Sequence, residues 1–514
     1  MNHYRLSMMI LSIVIATTLY AHPTGSIRGR VSAEGDETGI PGANIVLKGT
    51  VFGTVTGLHG EFLINDIPVG KYTIIVSYIG YKEQERQVEV QEGRQSELSV
   101  VLIPGSIDLG SVQVEARKPF SAASSVAIRD FDLAVRPVNN GQQMLQLIPG
   151  LFIAQHNGGG KAEQIFLRGF DADHGTDVGI YVDGIPVNMV THAHGQGYAD
   201  LHFIIPEVIE GIKIFKGPYF ARFGDFGTAG SVTLNTIDHP EKNLVKLEGG
   251  MFNTAKLTTV LKIPTRGIHQ SAYLAGQFYT TDGPFDDPLD LFRVNIFGKF
   301  HTHVSETSEI GVSMGAFSSA WNASGQIPTR AVESGMISRF GAIDPLEGGT
   351  TSRYNFSIDY SYGKGTDQEF MIQGYSSWYN FDLFSNFTFW LNDSINGDMI
   401  EQVDNRNILG INTRYARRRI LGKSISNTRF GGGLRADDIS GVALWHAPDR
   451  QRMELRKDAA VAQRSLFMWI EQDFIFSPKW KLQVGLRGDY FTFNVDDRLD
   501  NPYAPENDLP HASG

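Results

Sequence analysis

From Tyr354 to Tyr362 the chain alternates without a break. Tyr354, Phe356, Ile358, Tyr360 and Tyr362 fall on one face of an extended strand, and Asn355, Ser357, Asp359 and Ser361 fall on the other. Trp480, Leu482, Val484 and Leu486 alternate with Lys481, Gln483, Gly485 and Arg487, and Phe292, Val294, Ile296 and Phe300 repeat the pattern. A period of two belongs to strands whose two faces meet different surroundings. No run of about eighteen apolar residues follows the N-terminus, so no membrane-spanning helix is expected there. A transmembrane barrel needs apolar residues only at alternate positions, and residues 243–514 are predicted to form antiparallel strands of one. The long polar stretch Ala320 to Thr350 suits an outward loop, and Tyr360, Tyr362, Trp469 and Tyr490 suit interfacial girdles. The rival, a soluble sandwich, usually has shorter and more closely spaced strands.

At 514 residues, the chain is too long for one ordinary core. Its first twenty-one residues read as a signal peptide: Arg5 gives the positive start, Met8 to Ala16 the apolar core, and Tyr20 and Ala21 precede a cleavage site at His22. There are no cysteines, so disulfides play no part. The net charge of −11, with no basic run, argues against nucleic acid as a partner.

Residues 22–104 read as a small β-sandwich. The runs SIRGRV, ANIVLKGT, GTVTGLHGEFLI, GKYTIIVSYIGY, RQVEVQEG and SELSVVLI alternate in polarity and end in Gly, Pro or Asn turn signals. The order PGANIVLKGT, GTVTGLHGEF, PVGKY and YIGY resembles the carboxypeptidase regulatory-like, prealbumin-like domain, an accessory module without a peptidase site. Residues 105–118 follow a Pro-Gly break and read as a linker. Within it Ser111, Val112, Gln113, Val114, Glu115 and Ala116 alternate like a short strand able to add to a partner's sheet edge.

Residues 119–238 begin with NNGQQMLQLIPGL, where Met144, Leu145 and Ile148 share an apolar helical face before Pro149 and Gly150 stop the helix. IFLRGF at Ile165 to Phe170, IYVDGIPV at Ile180 to Val187 and IEGIKIFKGPYFARFGDFGTAGSVTL at Ile209 to Leu234 follow. Lys216, Gly217 and Pro218 form a turn between a strand from Ile209 and another starting near Ser231. These three motifs in this order resemble the plug domain of TonB-dependent outer-membrane receptors. The resemblance implies a mainly β chain: a sandwich in the periplasm, an α+β plug with a four-stranded sheet, and a partial transmembrane barrel in the outer membrane.

It further implies that residues 111–116 are a TonB box engaging a TonB-ExbB-ExbD-type complex. It marks Arg168, Gly169, Asp183, Gly184, Glu210, Gly217, Pro218, Gly224 and Gly230 as plug-motif residues, with Arg168 and acidic plug residues in ionic contacts to the wall. The family's barrel has roughly twenty-two strands, so residues 243–514 read as the first half of a C-terminally truncated one. The implied activity is energised uptake of a scarce external solute such as a metal, chelate or siderophore; the alternative is a structural or adhesive barrel. No HExxH and no P-loop occur, so neither an enzyme nor a resident cofactor is expected. His192, His194, Asp200 and His202 lie within eleven residues and read either as a metal ligand set or as groups that hydrogen-bond plug loops together.

Overall fold

The computed structural model describes residues 24–103, 125–129 and 138–499, short stretches within them excepted. The expected signal peptide, residues 111–116, and His156 and His174 lie outside the described residues. The chain divides into two compact units, one carrying the N-terminal strands and the other residues 117–263 and 271–514.

In the first unit two four-stranded sheets share one core. Asp36–Gly39, Thr24–Ala33 and Glu61–Pro68 pair in that order, and Gln95–Leu102 runs parallel to Thr24–Ala33. Gly53–Val55, Asn44–Leu47, Gly70–Ser77 and Gln84–Val90 form the second sheet. Ile27 and Val31 from one meet Ile45, Leu47, Ile74 and Val76 from the other, all buried. The expected sandwich is there. The run GTVTGLHGEFLI, read as one strand, is two strands in different sheets, because the chain turns between Gly57 and Gly60.

The plug-like segment is mixed, as expected, but its main sheet has five strands where four were implied. Ile185–Pro186, Val178–Val182, Gly230–Thr236, Ile209–Lys216 and Ser125–Arg129 pair in that order. Its helical start is a single 3₁₀ turn, Gln143–Leu147, which buries Met144 and Leu145; Ile148 is buried just past it and leads into Pro149. With one turn available the apolar face is too short for an α-helix. Two of the three motifs are two-residue hairpins. Arg168 and Gly169 join Gln164–Leu167 to Phe170–Ala172, and Asp183 and Gly184 join Val178–Val182 to Ile185–Pro186, all four residues at positive φ. That geometry matches the twist of the flanking strands and favours glycine at the second position.

Eleven strands then follow one another as neighbours in a single antiparallel sheet: Leu244–Gly250, Thr254–Ile263, Gln270–Thr281, Leu291–Ser305, Ser308–Ala323, Glu347–Tyr362, Gln368–Ser385, Ile400–Leu421, Ser424–His446, Glu454–Ile475 and Lys481–Asp497. Its polarity is inverted relative to a water-soluble sheet. Leu247, Met314, Leu409, Met468 and Leu486 are 60–78% exposed, while Asp404, Asp437, Glu471 and Asp473 are completely buried. Hydrocarbon outside and a packed polar interior inside account for both faces; water outside accounts for neither. No helix among the described residues is long and apolar enough to cross a membrane.

Two expectations change. Trp469 is buried and not in a girdle, since the odd residues of its strand, such as Glu471 and Asp473, face inward. The long connection runs over residues 324–346 and not from Ala320 to Thr350, because strand pairing continues through Ala323 and resumes at Glu347.

Candidate functional site

The connections of the large sheet differ at its two ends. One end carries residues 251–253, 282–290, 324–346, 386–399 and 447–453; the other carries 264–269, 306–307, 363–367, 422–423 and 476–480. Long loops at one rim and short turns at the other are the usual asymmetry of outer-membrane barrels, with the long loops outside the cell.

Toward the long-loop end the segment Thr191 to Tyr198 rests against the wall. Its base is set by Asn188, whose side chain receives the Ile180 N–H at 2.7 Å and donates to the carbonyls of Gly175, Val178 and Gly197. The His192 ring stacks on Tyr198 with centroids 4.1 Å apart and meets Phe381 edge-on. The His194 N–H donates to His192 Nδ1 at 3.1 Å, which leaves Nε2 as the nitrogen that donates to the Tyr379 hydroxyl at 3.2 Å. His194 Nδ1 meets Gln402 Oε1 at 2.9 Å. Gln402 and Asp404 then grip the Ala193 carbonyl and N–H.

The other half of the expected histidine set is elsewhere. His202 is buried and bonds Asp200 through Nδ1 at 2.7 Å, while Asn140 approaches its Nε2 at 3.3 Å. Asn140 also reaches Glu163, whose carboxyl burial pushes above the usual range. His192, His194, Asp200 and His202 are therefore not brought together as one ligand set: His192 and His194 bond Tyr379 and Gln402 of the wall, while His202 and Asp200 bond each other. His202 joins Asp200 and Asn140 within the plug, whereas His192 and His194 join the plug to the wall. Among the described residues, the histidines whose ligand atoms gather within 4.8 Å are His239, His301 and His303.

Two apolar patches join the plug-like segment to the wall, Met189 and Tyr198 against Trp321, Tyr379 and Phe381, and Ile205 and Val208 against Val260 and Tyr273; around them a set of charged side chains on the inner face is aimed mainly at plug carbonyls. Arg406 binds Asp404 at 2.7 Å and the Thr191 carbonyl at 2.7 Å; Arg435 binds Asp437 and the Asn188 carbonyl at 2.8 Å; Arg406 also lies 3.5 Å from Asp437. Glu471, held by Arg429, receives both the N–H and the guanidinium of Arg222, which itself stacks over Phe215 and Phe223. Lys256 reaches Val138 O, Glu207 and Glu248. Lys299 pairs with Asp238 at 2.7 Å and also bonds Thr236. Each of these charges has an opposite charge beside it, which offsets the cost of its burial.

The plug-motif residues take several places. Arg168 is exposed on its hairpin with Gly169, and Glu210 is exposed too, so the wall contacts are carried by other residues. Asp183 caps Thr236, accepting its N–H at 2.8 Å and its hydroxyl at 2.6 Å, and Gln373 of the wall donates to the Asp183 carbonyl. Gly217 and Pro218 turn the chain out of the Ile209–Lys216 strand, and Gly230 opens the next. Gly224 leaves room for Arg487: a Cβ there would sit 2.0 Å from its Nε. Arg487 uses that space to reach the Arg222 carbonyl.

The sequence reading does not single out Arg406, Arg435, Arg429 or Glu471. A signal exists: Asp404/Arg406, Arg435/Asp437 and Arg487/Asp489 are opposite charges two apart on strands, hence on one face.

Also at the long-loop end is a cavity of about 250 Å³ lined by Asp290, Trp321, Asn322, Asp382, Phe384 and Arg450 among others. Arg450 donates to Asn322 at 3.0 Å and lies over the Phe384 ring. The buried Trp321 Nε1 donor has no hydrogen-bond partner among the described residues.

Residues 118–231 match the TonB-dependent receptor plug domain family, and residues 27–114 match the CarboxypepD_reg-like domain family. The second match runs past residue 104 into the first four residues of the segment 111–116. The TonB-dependent receptor SusC of Bacteroides thetaiotaomicron is 29% identical over 246 residues, 45% of this chain and 23% of that protein. The vitamin B12 transporter BtuB of Vibrio vulnificus is 26% identical over 165 residues, 31% of this chain and 25% of that one. Among solved structures, the unliganded ferric citrate transporter FecA superposes with a TM-score of 0.63 at 15% identity, covering 74% of this chain and 57% of that one. The ferric-catecholate import receptor Fiu from E. coli K12, open form, gives 0.57 at 13% identity, covering 73% and 61%. This chain thus spans about a quarter of the length of these curated relatives and somewhat over half of these solved chains.

Proposed function

We propose that this chain, which its plug and accessory domain place with the TonB-dependent receptors, takes part in energised uptake of a scarce solute across the outer membrane. The observation that carries this reading is a plug seated against the inner face of a lipid-facing sheet, where two limited apolar patches are surrounded by polar, backbone-directed contacts. Polar contacts to separate plug carbonyls can be exchanged for water one at a time, so the plug can part from the wall in steps and not only as a whole. Solute would meet the long-loop end, where the Trp321–Arg450 cavity offers an aromatic wall, two carboxylates and an arginine. Residues 111–116 would add as a strand to a periplasmic energy-transducing partner. Pulling there reaches the plug first at Ser125–Arg129, the edge strand of its sheet, which is bonded on one side only.

The test is genetic. A deletion strain is grown on defined ferric chelates, cobalamin, oligosaccharides or peptides as the limiting source, and the supply that it cannot use identifies the solute. Wild-type sequence should restore growth. Val114→Pro, which removes a backbone donor from the added strand, should leave surface binding of that solute intact and abolish growth. Full growth with Val114→Pro overturns the energised mechanism.

A further inference from the structure

The three histidines named above stand apart from both the plug apex and the cavity. His301 and His303 are two residues apart on the Leu291–Ser305 strand and share its inner face near the short-turn end. His239 comes just after Gly230–Thr236, the last strand of the plug sheet, in the stretch that leads to the first wall strand at Leu244. The His301 ring lies between the other two, with centroids 5.2 Å from His239 and 5.4 Å from His303, close to perpendicular to each. Glu309, buried on the neighbouring strand and paired directly with His303 in register, places Oε2 3.0 Å from His301 Nε2 and 4.0 Å from His303 Nε2.

We propose that His239, His301 and His303 bind a single transition-metal ion, Zn²⁺ being the best fit, with Glu309 as the carboxylate behind His301. The argument rests on which nitrogen of His301 is engaged. Its Nε2 faces Glu309, so the imidazole is oriented with Nε2–H donating to the carboxylate and Nδ1 presenting its lone pair. That Nδ1 is buried, and no hydrogen-bond partner reaches it among the described residues, although the residue is only 5% exposed. A carboxylate that fixes the tautomer of an imidazole whose other nitrogen is held ready is the usual outer shell of a histidine–metal bond.

The distances fit a small closure. Three ligand atoms lie within 4.8 Å of one another. In a tetrahedral site with Zn–N of about 2.0–2.1 Å they stand about 3.3 Å apart, so the ion would draw the three rings slightly closer together. Three imidazoles with no thiolate select Zn²⁺, Ni²⁺ or Cu²⁺ over Mg²⁺ or Ca²⁺. Water or solute takes the fourth position, at the partly exposed His303 side. The ion would tie the exit of the plug to the wall beside the Lys299–Asp238 pair, as a clasp at the base of the plug. It is a resident site and not the transported solute, so it stands or falls independently of the uptake reading.

The test uses the purified full chain in detergent, titrated with Zn²⁺ against a chromophoric chelator and with Co²⁺ by its visible absorption. One equivalent should bind, with an intense tetrahedral-type Co²⁺ band. His303→Ala, at the exposed edge of the cluster, should weaken binding at least tenfold and flatten the band, and His239→Gln should do the same; neither removes a buried charge. The His192→Ala, His194→Ala double variant should bind like wild type. Equal affinity in wild type, His303→Ala and His239→Gln overturns the proposal, as does the absence of binding in wild type. Loss of binding in the His192/His194 variant alone would also overturn it, by moving the site to the plug apex.

Discussion

At residue scale the informative group is Glu163. It is buried beside Asn140, within reach of the His202–Asp200 pair, and burial raises its carboxyl above the ordinary range. A carboxyl whose folded pKa is raised carries no penalty below its unfolded value, near 4.3, and an increasing penalty as pH rises through the folded value. Glu163→Gln should therefore be close to neutral in acid and stabilising relative to wild type at pH 8. Thermal unfolding of both proteins at pH 5 and pH 8 checks this; a variant that loses stability more at pH 8 than at pH 5 contradicts it. Asp183 caps Thr236 with two hydrogen bonds, and Asp183→Ala should cost about 1–3 kcal/mol by stranding those donors, read as a lowered denaturation midpoint. Asp183 was legible in the sequence as part of a motif, but its role was not, because a cap on a residue fifty-three positions later leaves no local trace.

At the scale of elements, alternation read from the sequence gives the faces correctly for Tyr354 to Tyr362 and for Trp480 to Leu486, since each strand shows its own parity over many residues. It fails for Trp469. An aromatic ring suits either an interface or a packed interior, and parity had to be read from neighbours such as Glu471 and Asp473. The glycine opposite was a usable signal: Gly431 pairs with Trp469 in register, and a Cβ there would press on its ring at 2.9 Å. Likewise the plug's fifth strand, Ser125–Arg129, carries no motif and becomes visible only by pairing with Ile209–Lys216. The inverted faces make a direct prediction. Met314→Arg and Leu434→Arg, on the outer face, should each cost about 2–4 kcal/mol if they lie near the bilayer midplane. Folding into lipid vesicles should be impaired for both, while Ser357→Ala on the inner face folds normally. Normal insertion of both arginine variants would mean that this face does not meet hydrocarbon.

At the scale of the whole second unit, the question is what keeps a folded plug inside a wall yet lets it move. The wall supplies most of the charges, and the plug answers with backbone carbonyls, with Arg222, Glu207 and Asp238, and with apolar side chains such as Met189 and Ile205, none of them the exposed Arg168. That is why motif residues located the plug in the sequence but not its anchors. Arg435 is the clearest test, because it joins Asp437 on its own strand to the Asn188 carbonyl at the base of the apex segment. Arg435→Met leaves Asp437 buried with a weaker partner and should cost about 3–5 kcal/mol. Removing the pair together, Arg435→Met with Asp437→Leu, deletes the plug tie without stranding a charge, so it should cost less than the single change. The double variant separates stability from seating. If the pair seats the plug, cells carrying it should admit more of a bulky antibiotic than wild type even though the protein is better folded than the single variant. Unchanged permeability in a well-folded double variant would assign the seating to the Glu471 and Lys256 contacts instead, and the same pairwise removal at Arg429 and Glu471 would then be the variant expected to leak.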